Sequence, residues 1–175
     1  MKPGIFISSV EEADWFMVLI RDSAARVHDW TSAQTGDPLT MLRRMKFEPV
    51  GVHPITGHPL NLVEQINQTW NFMVAIAATR QLLELHREAG GFHLAPGAHA
   101  ALPLDIMSKQ DGLAGAETFA AVDPRNNGKM AADLAKLAAR PETHRYVFFM
   151  SPLFPGNERR QQFERDGVQV WSVDM

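Results

Sequence analysis

The run Tyr146-Val147-Phe148-Phe149-Met150, led in by His144 and Arg145, constrains the fold more than any other stretch. Side chains alternate between the two faces of a strand, so a run that is apolar at successive positions has to be covered on both. It is expected as a central strand with helices above and below it. Asn61 is placed to cap a long helix over residues 62–87, Glu64 sits in the first turn where the helix dipole favours an acid, and Gly90-Gly91 ends it. Leu62, Ile66, Trp70, Met73, Ala77, Leu82 and Leu85 recur at three- and four-residue spacing as its buried stripe. Val63, Phe72, Ile76 and Leu83 widen that stripe, so the helix is expected to be covered on more than one side.

Three short strands are expected after it, over residues 91–95, 102–108 and 113–122, joined by Pro96-Gly97-Ala98 and by the tight turn Lys109-Gln110-Asp111-Gly112. Such short connections predict an antiparallel meander. A helix over 129–139 carries Met130, Leu134 and Leu137 inward and stops at Pro141, a second helix over 157–165 has the single apolar anchor Phe163, and a last strand runs over 168–173. Ahead of this core, Ser9 is placed to cap a helix reaching about Trp30, with Glu12 as its capping-box partner and Phe16, Leu19, Ile20, Ala24 and Val27 on the apolar side. A short helical stretch over 39–45 follows, and then turns over 47–60, where proline and glycine recur. His53 and His58 in that segment match no ligand spacing and are read as turn residues. The expected fold class is therefore α/β, a three-layer domain around a mixed sheet of about five strands in the order α-β-β-β-α-β-α-β, preceded by an N-terminal helical segment. Residues 1–60 form the extension of a single domain and residues 61–175 its core.

Composition narrows the chemistry. Cysteine is absent, which excludes disulfides, thiolate metal sites and cysteine nucleophiles and fits a cytoplasmic setting. Acids precede any long apolar stretch near the start, unlike a secretory leader, and no run is long and apolar enough for a membrane span. A net charge of −3 gives no overall attraction to nucleic acid, so such binding requires a local patch. Arg43, Arg44 and Lys46, and then Arg159, Arg160 and Arg165, are the candidates, against a reading of both groups as ordinary solvated faces.

Asp105 and Glu117 stand one on each of two strands expected to pair. Paired, they lie side by side on one sheet face, about 5 Å apart, and two carboxylates so close need a divalent cation or a proton to share their charge. Ala114, Gly115, Ala116, Ala120 and Ala121 around Glu117 let a ligand or another backbone approach. The competing reading turns Asp105 to solvent and pairs Glu117 with Arg125, Lys129 or Arg145. Asn126-Asn127-Gly128-Lys129 opens the next helix, either as a phosphate site made of free N–H groups and the Lys129 charge, or as an asparagine cap beside a solvated lysine. His93 and His99 lie near the first hairpin without diagnostic spacing. No Walker loop, dinucleotide fingerprint, His-Glu-x-x-His helix or nucleophile elbow is present.

The order of elements from residue 61 onward resembles the restriction-endonuclease-like superfamily, the PD-(D/E)XK nucleases. The resemblance implies a metal site of Mg2+ or Mn2+ held by Glu64 of the long helix, Asp105 of the second strand and Glu117 of the third, acting on nucleic acid. In that family a lysine stands two residues after the third-strand glutamate. Here Glu117-Thr118-Phe119 puts phenylalanine there. Members of the family relocate the lysine, and Lys129 or Lys109 could fill the role, which makes Asp105, Glu117 and Lys129 the expected catalytic set. Without a working lysine the same fold is expected to be an inactive interaction module, with Trp15, Trp30 and Trp171 as contacts to a protein partner or a second copy of the chain.

Overall fold

A computed structural model describes residues 4–97, 102–126 and 128–174. His99 and Asn127 lie outside the described residues. The elements in chain order are β1 (Ile5–Ile7), α1 (Val10–Ser32), α2 (Pro38–Phe47), β2 (Gly51–Val52), β3 (Pro59–Leu60), α3 (Leu62–Leu85), β4 (Phe92–Leu94), β5 (Ile106–Ser108), β6 (Ala114–Ala120), α4 (Lys129–Ala138), β7 (His144–Met150), β8 (Glu158–Arg159) and β9 (Gln169–Ser172). Seven strands form one mixed sheet in the order β1-β4-β5-β6-β7-β9-β8, and β2 and β3 form a separate small hairpin. The meander β4-β5-β6 is antiparallel as expected, while β6, β7 and β9 run parallel. The five expected strands stand in sequence order, and the two further ones, β1 and β8, are short strands at the sheet's edges.

The apolar run in β7 accounts for the layering. Tyr146 and Phe148 enter one core with α1 and α3, and Val147 and Phe149 enter the other with Met130, Leu134 and Leu137 of α4. The chain is thus a mixed α/β fold of three layers. The middle of α3, from Phe72 to Ile76, is buried on every side because it lies between the sheet and α1. The expected stripe holds at Leu62, Met73 and Leu82, whereas Ile66, Trp70 and Leu85 are exposed and Gln65 is buried in their stead.

Local chemistry starts each helix. Ser9 accepts the Glu12 backbone N–H at 3.2 Å, but the Glu12 carboxylate reaches Ser8, taking its backbone N–H at 2.6 Å and its hydroxyl at 2.9 Å. Asp37 caps α2 through the Thr40 N–H, and Asn61 caps α3 through the Glu64 N–H at 2.8 Å. The buried face of α1 runs through Ala13, Ile20 and Ser23, and Ala24 is exposed. Ser23 faces inward because the buried Gln65 amide donates to its hydroxyl (2.8 Å) and its carbonyl (3.0 Å). The Gln65 oxygen accepts the Val52 N–H at 2.7 Å, and Gly51 leaves the room that a Cβ would take from the Gln65 side chain. One amide therefore ties α1, the β2 hairpin and α3 together.

Two expectations are corrected. Residues 157–165 do not form a helix. Arg160 gives its backbone N–H to the Val170 carbonyl at 2.7 Å, Glu158 and Arg159 pair with β9, and only a 3-10 turn over Gln161–Phe163 remains. A segment with one apolar anchor has no stripe to hold a helix down, and Phe163 instead joins Phe149 and Phe154 in an aromatic cluster. The second strand is also shorter than expected, starting at Ile106: Pro103 has no N–H to give a ladder, and the Thr118 N–H goes to the Asp105 side chain rather than to a backbone carbonyl, although the Asp105 carbonyl still accepts the Ala95 N–H at 2.8 Å.

Two measurements follow. Gln65→Ala leaves Val52 N–H and Ser23 without their partner and is expected to lower stability by roughly 1–3 kcal/mol in urea unfolding. The chain's single tyrosine, Tyr146, is 3 % exposed, and its hydroxyl shares a 2.7 Å hydrogen bond with His86 Nε2. Burial pushes its ionisation from the ordinary 10.0 to about 12. The fold therefore loses stability as pH rises from 10 toward 12, and tyrosinate absorbance in the folded protein should develop near 12; a folded-state midpoint at 10 would disprove the burial.

Candidate functional site

Along β6 the side chains alternate: Ala114 and Ala116 face the core of α1 and α3, and Phe119 faces the core of α4. Glu117 shares the face of Phe119 and is 3 % exposed, beneath α4. Lys129, Asp133 and Lys136 follow one another at i, i+4 and i+7 on α4, a spacing that sets them in one stripe beside the core residues Met130, Leu134 and Leu137. Lys136 Nζ donates to Glu117 Oε1 at 2.7 Å, and Lys129 Nζ lies 3.8 Å from Glu117 Oε2. Lys129 also donates to Asp133 Oδ1 at 2.6 Å. Asp133 is 3 % exposed, and its Oδ2 is buried with no hydrogen-bond partner among the described residues.

Asp105 completes the group. The antiparallel register pairs Ile106 with Ala116, and one step further along the same register sets Asp105 opposite Glu117. Asp105 is 9 % exposed, and its Oδ2 accepts the Thr118 backbone N–H at 2.9 Å and the Thr118 hydroxyl at 3.0 Å. These bonds fix the carboxylate against β6. Three carboxylates and two ammonium groups thus gather between the sheet and α4.

Burial pushes the Glu117 carboxyl above its ordinary range and the nearby Asp105 charge adds to this, against the hydrogen bond and charge of Lys136. Asp133 is also pushed up, chiefly by burial, with Lys129 opposing. Burial works against the charge on Lys129, yet its hydrogen bond to Asp133 and the charges of Asp133, Glu117 and Asp105 hold it above the usual lysine range. The ammonium is a fixed cation at neutral pH.

The structure does not bring the fourth expected residue here. Glu64 begins α3, which packs on the opposite face of β6, and accepts a hydrogen bond from Gln68 at 2.9 Å. Among the described residues no group of three or more His, Cys, Asp or Glu side chains is placed to hold a metal ion. The remaining donor set is two hard carboxylates, Asp105 and Glu117. That set suits Mg2+, which commonly takes one or two carboxylates and completes its shell with water and substrate phosphate.

Of the other candidates, Lys109 lies over the Phe6 ring, Arg125 pairs with Asp123, and Arg145 donates to the Leu137 and Ala138 carbonyls at the end of α4. Among the three cations set against Glu117 from sequence, Lys129 makes contact, and the closest cation, Lys136, was not anticipated. The i, i+4, i+7 spacing of Lys129, Asp133 and Lys136 was its available signal. Gly128, in a left-handed conformation (φ 69°) without a side-chain capping bond, is the N-cap of α4 in place of an asparagine. Arg44, Arg159 and Arg160 are engaged with Glu48, Glu164 and Glu158, which removes much of the basic character of their clusters. His53 and His58 stack at 4.8 Å within their turn, and His93 packs on Phe6. Trp15 is exposed, while Trp30 and Trp171 are half-buried. No helix among the described residues is long and apolar enough to cross a membrane. Comparison of the chain with protein-family models, curated proteins and solved structures gives no match.

A carboxyl whose folded pKa is raised binds its proton more tightly in the fold than in the unfolded chain. Glu117 therefore withdraws stability as pH climbs from its ordinary 4.5 through its raised folded value. Glu117→Gln removes that titration, so its melting temperature should fall less than that of the unsubstituted protein over this window. Parallel profiles would show that Glu117 does not titrate above its ordinary range.

Proposed function

We propose that this protein is a divalent-cation-dependent phosphodiesterase acting on nucleic acid, nuclease-like in fold. The observation that carries the reading is the delivery of two ammonium groups from α4 onto Glu117, the third-strand acid whose own strand lacks a lysine. The order α3, β4-β5-β6, α4, β7, β9 supports the same reading. Asp105 and Glu117 are the residues that would hold Mg2+ or Mn2+. Such an ion, when bound, supplies polarisation of the phosphodiester and a hydroxide at neutral pH.

The roles of the chain's own groups follow from their surroundings. Thr118 fixes Asp105, and burial in a strand paired on both sides fixes Glu117. Lys129 stays protonated, so it serves as a positive charge toward the developing phosphate charge and not as the base. Lys136 adds a second charge from a half-exposed position that substrate can reach. With a net charge of −3, affinity for nucleic acid would rest on the bound cation together with the ammonium groups of Lys129 and Lys136. A second reading, a binding module or homodimer, draws on the exposed apolar side chains Leu39, Leu42 and Phe47 of α2 and Val63, Ile66 and Trp70 of α3.

The test is cleavage of plasmid, single-stranded DNA and RNA with Mg2+ or Mn2+, together with calorimetric titration of the cation into the protein and into Glu117→Gln. Cation-dependent cleavage is expected, lost in Glu117→Gln along with cation binding. Lys129→Met and Lys136→Met should each reduce the rate by about 10²–10³-fold, the usual cost of removing a preorganised charge. A folded protein that neither binds the cation nor cleaves any of the three substrates overturns the assignment in favour of the binding module.

A further inference from the structure

Asp133 Oδ2 is a buried carboxylate oxygen without a hydrogen-bond partner among the described residues, although Lys129 donates to the other oxygen of the same carboxylate. Buried polar atoms are seldom left without a partner. Asp133 is 3 % exposed and its other oxygen is held by Lys129. Lys136, three residues on, sits on the same helix face, and its charge acts on Asp133 while its ammonium is bonded to Glu117 Oε1.

Resting on the phosphodiesterase reading, we infer that Lys136 changes acceptor, from Glu117 to Asp133 Oδ2, when a divalent cation occupies Glu117. A divalent cation on Glu117 repels the like charge of the ammonium bonded to Oε1. The lysine has a flexible stem and is 47 % exposed, so its head can swing. The neighbouring acceptors differ in availability: Asp105 Oδ2 is taken by Thr118, Asp133 Oδ1 by Lys129, and Asp133 Oδ2 by none among the described residues. Asp133 is thus a positioning residue for both lysines. It holds Lys129 in the free protein and receives Lys136 in the loaded one, keeping both charges beside the substrate phosphate while Glu117 is released.

The test is a double-mutant cycle read by calorimetric Mn2+ affinity. Lys136→Met removes the competitor and should tighten binding about 3–10-fold, Asp133→Asn should weaken it about 5–10-fold, and in the Lys136→Met background Asp133→Asn should change it less than about twofold. An equal loss in both backgrounds would make Asp133 a fixed charge and overturn the exchange alone. Absence of any Mn2+ binding that Glu117→Gln abolishes would overturn the metal reading and the exchange with it. In the unsubstituted protein, Mg2+ should shift the carboxyl carbon resonance of Asp133 together with the ammonium resonance of Lys136. Shifts confined to Asp105 and Glu117 would overturn the exchange even if Asp133→Asn fails to fold.

Discussion

A strand buried on both faces leaves no water for any polar side chain it carries, and the rest of this structure answers that constraint. β6 is paired on both edges and covered by α3 on one face and α4 on the other, yet it carries a glutamate at its centre. An isolated carboxylate there would cost several kcal/mol. The helix above it supplies two lysines, and the helix spacing that brings them to one side also brings Asp133 between them. The cluster is therefore set by the packing of α4 on the sheet: moving α4 would unpair Glu117 and open the second core together.

How much of this could be read from the chain depends on how local each signal is. The β7 run, the caps at Ser9 and Asn61, and the adjacency of Asp105 and Glu117 follow from nearest-neighbour chemistry and strand alternation. Lys136 escaped notice because its role depends on how α4 is rotated over β6, a tertiary variable. Glu64 failed to join for the same reason in reverse: it has the right position in the order of elements, but the layer it belongs to lies across the sheet. The charged segment at 157–165 looked helical because its composition suits a helix. What decided its conformation was a free edge on β9 and an aromatic pocket around Phe149, neither visible in local pattern.

The stripe of α3 shows the same division. Ile66 and Trp70 recur at helical spacing with Leu62 and Met73, yet Gln65 takes the buried place because three separate segments need its amide. Hydrophobic periodicity measures what a face prefers, whereas a buried amide with every bond made records what the assembled layers require. Together with the exposed apolar side chains of α2, those displaced to the surface of α3 make up most of the exposed large apolar residues among those described.

The phenylalanine at 119 is best understood from the same geometry. It lies two residues beyond Glu117, on the same face, and stacks on Phe149 at 5.9 Å beneath α4. A lysine there would place its stem in the core that α4 covers and would have to carry its charge out past the helix. A lysine on α4 meets the opposite circumstance: its stem starts at the rim and descends to the carboxylate, so its ammonium reaches Glu117 while the side chain stays half exposed. A positive charge carried by the helix thus leaves position 119 to packing while Glu117 is still paired. Once a helix carries the charge, a second lysine and an orienting aspartate can share its face at no cost to the core, which a strand position with one neighbour on each side could not provide.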